Sequence, residues 1–152
     1  MNHWRLATPD DDAYIVQLFL ALNREDEGQI PCDARNMLRT LAALREAPTR
    51  GRAVVLDEAG TARGYALLIA FWSNEYGGAC CCVDELYVAP EARGRGHAGA
   101  LLDALHAGSP LWPGEVAALV LEVTADNHRA RALYARHGFV GDNVAMRRLS
   151  DR

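Results

Sequence analysis

The chain contains no lysine; all 16 of its basic residues are arginine. No lysine side chain can therefore serve as a nucleophile, form a Schiff base or hold a phosphate. There is also no Cys-x-x-Cys pair. Cys80, Cys81 and Cys82 are adjacent, and neighbouring strand residues point to opposite faces, so they do not jointly ligate one metal. With Cys32 they read as buried small apolar side chains in a reducing compartment. No His-x-x-x-His pair occurs, and no metal is expected. Ser73 and Ser109 lack the Gly-x-Ser-x-Gly setting of a hydrolase nucleophile. No apolar run reaches the roughly 20 residues a membrane helix needs. The opening Met1 to Asp12 has no apolar stretch of the kind a signal peptide carries. The expectation is a cytoplasmic protein with no membrane partner. With 16 basic and 20 acidic residues the net charge is −4, which argues against a nucleic-acid partner.

What is present is ordinary globular composition: 152 residues, 50% hydrophobic and 24% charged. That fits a single domain over residues 1–152. His3 to Ala7 is a short strand candidate, stopped by Thr8-Pro9-Asp10. Helical spacing follows over Asp10 to Asn23, through Ile15, Phe19 and Leu22, and again from about Asp33 to Glu46. Between them lies the acidic run Glu25-Asp26-Glu27-Gly28. The pattern then changes to strands over Arg52 to Asp57, Ala62 to Trp72 and Ala79 to Val88. Short hairpin links at Glu58 to Thr61 and Ser73 to Gly78 imply an antiparallel meander. A helix is expected over Arg95 to His106. The apolar run Val116 to Val123 reads as a strand buried on both faces. A last helix spans Asn127 to His137, ended by Gly138-Phe139. Phe139 to Leu149 can form one or two final strands. The order β-α-α-β-β-β-α-β-α-β predicts an α/β fold with a mixed, mostly antiparallel sheet and flanking helices.

The richest segment runs from Val83 to Gly99. A strand ends, a loop with Gly94, Gly96 and Gly99 follows, and an amphipathic helix begins. Glycines let the main chain approach a ligand closely. Free N–H groups in a first helical turn, with the positive end of the helix dipole, favour an anion. Arg93 and Arg95 add charge, so a phosphate or pyrophosphate ligand is expected. Gly94-Arg95-Gly96-His97-Ala98-Gly99 also spells G-x-G-x-x-G, with Glu122 as a candidate ribose acid. A dinucleotide domain, however, opens with that loop and continues in βαβ units, which are missing here.

Arg93-Gly94-Arg95-Gly96-His97-Ala98 resembles the Q/R-x-x-G-x-G/A signature of the GNAT family of N-acetyltransferases. Leu86 to Ala92 resembles the family's preceding strand and its Pro-containing approach. Asn127, Ala130, Leu133-Tyr134 and Gly138-Phe139 resemble its second motif, and Arg5 to Asp11 its opening strand and turn. The resemblance implies acetyl-CoA as co-substrate and a primary amine of a small molecule or peptide as acceptor. It implies main-chain binding of the pyrophosphate from Arg93 through Gly99. The pantetheine arm would lie along Leu86, Tyr87 and Val88, with Asn127 capping its helix and bonding the same arm. A homodimer is left open.

The same resemblance gives Tyr134 the role of proton donor to the departing thiolate. Asp84 and Glu85 are both candidates for the base that deprotonates the amine; as strand neighbours they face opposite ways, and Glu85 is slightly favoured. Trp72, Glu75 and Tyr76, in the hairpin taken to lie near the active end, are candidates for holding a cationic acceptor. A non-catalytic acyl-CoA-binding regulatory module is the alternative; it would need neither Tyr134 nor a base.

Overall fold

A computed structural model describes residues 2–26, 31–141 and 146–150. Strand β1 (Asn2–Leu6) leads through a short Pro9–Asp11 turn into α1 (Asp12–Glu25) and α2 (Ala34–Glu46). The meander is β2 (Gly51–Glu58), β3 (Thr61–Ser73) and β4 (Gly78–Val88). Then come α3 (His97–Ala107), β5 (Ala118–Leu121) and α4 (His128–Arg136). The five strands lie in chain order in one sheet. β1 to β4 pair antiparallel, and β5 joins β4 in parallel.

Local chemistry explains the turns. Asp11 is buried; its carboxylate accepts from the Thr8 N–H at 2.7 Å and from both terminal nitrogens of Arg5 at 2.8 and 2.9 Å. Arg5 also donates to Asp57 at 2.8 Å, which locks the entry of α1 to β1 and β2. Asp33 caps α2 by accepting from the Arg35 N–H. Ala59 and Gly60 both adopt positive φ, as the two-residue hairpin between β2 and β3 requires.

The sheet alternates cleanly between two cores. Val55, Tyr65, Leu67 and Tyr87 pack with Ile15 of α1 and with Met37, Leu41 and Leu44 of α2. Val54, Ala66, Leu68, Cys81 and Val83 pack with Leu101, Leu102 and Leu105 of α3. The α1/α2 pair thus covers one face and α3 the other, with Tyr134 of α4 at the margin of the second core.

Several expectations change. α3 starts at His97, two residues later than expected, because Gly94 and Gly96 take left-handed φ of 76° and 78°. β5 covers Ala118–Leu121 only, and its residues are half-buried, not sealed on both faces; it pairs on one edge with β4. Among the described residues of 139–149 there is no strand, and residues 142–145 lie outside them. Glu27 and Gly28 of the acidic run also lie outside. Cys80 and Cys81 are buried and Cys82 half-buried, but Cys32 is exposed, so its reading as a core residue is corrected. Among the described residues no helix is long and apolar enough to cross a membrane. None of their His, Cys, Asp and Glu side chains forms a group able to hold a metal.

Candidate active site

The site begins with a defect in the sheet. Leu68 pairs with Val83 but Leu67 pairs with Glu85, so Asp84 is an extra residue in β4, a β-bulge. At the same point β5 stops: its last pair with β4 is Leu121 with Val83. Among the described residues, no strand lies beside β4 on that edge from Asp84 to Val88. The Ala89 N–H bonds to the Arg63 carbonyl on β3. Main-chain groups alternate in direction along an antiparallel ladder. Tyr87 and Ala89 therefore point to β3, and Leu86 and Val88 point into the gap.

The gap opens into a cavity of about 530 Å³ bounded by β4, the glycine loop, α3, α4 and the end of α1. Leu86, Tyr87, Val88, Arg93, Gly94, Gly96, His97, Ala98 and Gly99 line it, together with Asn127 and Tyr134. Gly96 is the N-cap of α3 and offers no side chain to its first turn, so those donors remain turned to the cavity. Such a terminus suits an anion.

The arginines are placed differently from expectation. Nε of Arg93 donates to the Val88 carbonyl at 2.7 Å, and its Nη2 to Glu25 at 2.6 Å. The guanidinium lies over the Tyr87 ring, whose hydroxyl donates to Glu25 at 3.1 Å. Arg95 leaves the cavity wall and pairs with Glu58 at 2.6 Å. Both loop arginines thus brace the loop against neighbouring glutamates. Gly99 has a second role. A Cβ there would lie 2.3 Å from Nε2 of His137, so this glycine lets α4 approach α3. His137 is in turn held by Asp103 at 2.8 Å.

On α4, the Asn127 side chain accepts from the Ala130 N–H at 3.2 Å, capping the helix, and donates to Asp26 at 3.3 Å. Tyr134 packs against Phe139, and burial, helped by the Asp26 carboxylate, raises its phenol above the usual value. Glu25, Asp26, Arg129 and Arg136 also line the cavity. Spacing on α4 put Tyr134 on a face but did not single out Arg129 and Arg136, which lie seven residues apart, two turns on one face.

Asp84 and Glu85 lie one step beyond the cavity wall along β4. Burial and the Asp84 charge push the Glu85 carboxyl up to about 7. Asp84 is also raised, by desolvation and by Glu122, although its residue surface is exposed. Trp72, Glu75 and Tyr76 are not brought to this site. The hairpin from Ser73 to Gly78 is at the other end of β4 from the glycine loop. Gly78 is seven residues before Glu85, roughly 23 Å of extended strand.

Four antiparallel strands, a parallel fifth strand whose pairing ends beside a bulge, and a helix terminus without a side-chain cap at the cavity wall define the class. The chain belongs to the acetyltransferase (GNAT) family, whose model matches residues 14–139. An integron cassette protein from the mobile metagenome of Cole Harbour Salt Marsh shares 26% identity at TM-score 0.72, covering 98% of this chain and 90% of that one. A possible acetyltransferase from Clostridium difficile 630 has TM-score 0.79 at 20% identity, covering 99% and 97%. A predicted acetyltransferase from Clostridium acetobutylicum, crystallised with acetyl-CoA, has TM-score 0.74 at 16% identity, covering 98% and 96%. No curated protein sequence matches the chain.

Proposed function

We propose that the protein is an N-acetyltransferase that moves the acetyl group of acetyl-CoA directly to a primary amine of a small molecule or peptide. The observation that carries this is the gap beside Leu86 and Val88. It leaves strand-edge groups without a strand partner, next to a helix terminus with no side-chain cap. An extended amide-bearing arm ending in a pyrophosphate would satisfy both sets of groups at once. The crystallised Clostridium acetobutylicum neighbour, which holds acetyl-CoA, supports the same choice. Acetyl-CoA would supply an activated acyl group on sulfur. Main-chain N–H groups of Gly94 to Gly99 would hold its phosphates, with Leu86 and Val88 aligning its arm.

An alkyl amine with a pKa of about 10.4 is neutral in only about one molecule in 2,500 at pH 7. A proton acceptor is therefore useful, and Glu85, raised to about 7, is the stronger candidate. Asp84 is the bulge residue and is influenced by Glu122 on the β5 side. Tyr134, on the cavity wall and kept protonated by burial, is suited to donate to the leaving sulfur. The test is free-thiol release from acetyl-CoA across a panel of mono-, di- and polyamines and amino-terminal peptides. Amine-dependent release supports transfer; tight coenzyme A binding with no turnover on any amine supports a binding module instead.

A further inference from the structure

Tyr65 has no solvent exposure, and among the described residues its hydroxyl makes no hydrogen bond of ordinary length and angle, although it is near enough to the Glu85 carboxylate for each to act on the other. A phenol sealed from water ordinarily makes such a bond. The sheet identifies where it is aimed. Tyr65 lies opposite Tyr87, and Leu67 opposite Glu85, so Tyr65 and Glu85 are diagonal neighbours on the α1/α2 face. The bulge at Asp84 creates this pairing. Continued without it, the register of Leu68 with Val83 would bring Glu85 opposite Ala66, on the α3 face.

After burial, Glu85 is the strongest influence on the Tyr65 phenol, followed by Cys32 and Asp84. Among the described residues, the groups that act on Glu85 are Asp84, which opposes its ionisation, and Tyr65, which favours it. The Glu122 charge in turn opposes ionisation of Asp84. No arginine stands among these groups. Among the described residues, the phenol is thus the one group that favours the ionised Glu85 carboxylate.

We propose that Tyr65 is a positioning residue for Glu85. Its hydroxyl donates to that carboxylate and fixes it, in preference to Asp84, as the group that receives the acceptor's proton. The inference rests on the acetyltransferase reading above. The Glu85 carboxylate takes one N–H proton from the ammonium and becomes a carboxylic acid. Tyr65 keeps its own proton throughout.

Tyr65→Phe preserves the ring and removes only the hydroxyl, so the fold should hold, with a melting temperature at or above wild type in acid and slightly below it above pH 7, where the ionised Glu85 loses its donor. Two readouts then apply. In the free protein with ¹³C-labelled glutamate, the Glu85 carboxyl signal, assigned by its loss in Glu85→Gln, is followed against pH. Loss of the donor should raise its midpoint by about half to one pH unit. An unmoved midpoint overturns the proposal without reference to activity. In turnover, the acid limb of kcat/KM against pH should move up by the same amount. That corresponds to a loss of about 3–10-fold at pH 6 and little loss above pH 8. A moved midpoint with an unmoved acid limb overturns the positioning role. An acid limb that survives in Glu85→Gln overturns the assignment of Glu85 as base, which is a separate failure.

Discussion

Gly96 offers a test in which strain and ligand loss can be separated. It sits at φ 78° and ψ 13° as the N-cap of α3, and a Cβ there would meet nothing within 4 Å. Substitution therefore costs backbone strain and not collision within the protein. A left-handed non-glycine residue costs roughly 1–2 kcal/mol. For a domain of this size, 1 kcal/mol lowers Tm by roughly 2–4 °C, so Gly96→Val should lower the Tm of the free protein by about 2–8 °C. The added side chain, however, would stand at the wall of the cavity that Gly96 lines, where the main chain is expected to approach coenzyme A. Coenzyme A at about 100 times its Kd should stabilise wild type by about 2.7 kcal/mol, or roughly 5–11 °C. Gly96→Val should lose most of that shift. Gly77 provides the control: its φ is 67°, its Cβ position is equally open, and it lies in the β3–β4 hairpin at the far end of β4. Gly77→Val should show a similar fall in free Tm and keep the whole coenzyme A shift. Differential scanning fluorimetry with and without coenzyme A reads both. Retention of the wild-type ligand shift by Gly96→Val would refute the placement of the anion cradle.

Tyr134→Phe keeps the packing on Phe139 and should lower kcat by roughly 10²-fold with little change in coenzyme A affinity; steady-state kinetics and calorimetry check the two halves. Glu85 has a folded pKa of about 7, above its unfolded value. Its protonated form stabilises the fold below about pH 4.5, and that contribution is lost as pH rises through 7. Glu85→Gln should therefore be more stable than wild type at pH 8, by roughly 1–3 kcal/mol after allowance for partial exposure, and equal to it near pH 4. Urea unfolding at the two pH values decides this. Asp11 has the opposite sign, since the Arg5 guanidinium holds its carboxyl below the usual range. Its stabilisation is present above about pH 3.8 and is lost as pH falls through the folded value. Asp11→Asn should cost about 1–3 kcal/mol at pH 7 in the same assay, with the deficit narrowing in acid.

The glycine loop was legible because its signal is local: Gly94 and Gly96 need positive φ, and a strand and a helix flank them within a few residues. Asn127 was equally legible, as a cap residue directly before a helical pattern. The pairing of Arg93 with Glu25 and of Arg95 with Glu58 was not. Those partners are 68 and 37 residues apart, and only the packed sheet brings them together. The bulge at Asp84 was hidden for a related reason. It is a property of how β3 registers against β4, and the sequence of β4 alone, with its apolar run from Ala79 to Val83, does not mark it. Strict alternation of strand neighbours was the basis for separating Asp84 from Glu85, and the bulge breaks that alternation: Val83 and Glu85, two residues apart, fall on opposite faces, and the placing of Glu85 on the α1/α2 face depended on that register. The Trp72 to Tyr76 hairpin was associated with the active end on composition, whereas strand direction puts it at the opposite end. The run Val116 to Val123 overstated β5, because apolar composition does not reveal that pairing with β4 ends at Leu121.

The most direct measurement is acetyl transfer itself: purified protein, acetyl-CoA and the amine panel at pH 8, with free thiol and acetylated amine quantified together by absorbance and mass spectrometry. Equal amounts of thiol and N-acetyl product should appear with at least one amine, and Tyr134→Phe should slow both together. Coenzyme A binding without acetylated product from any amine, or thiol release with no matching N-acetyl product, would contradict an N-acetyltransferase.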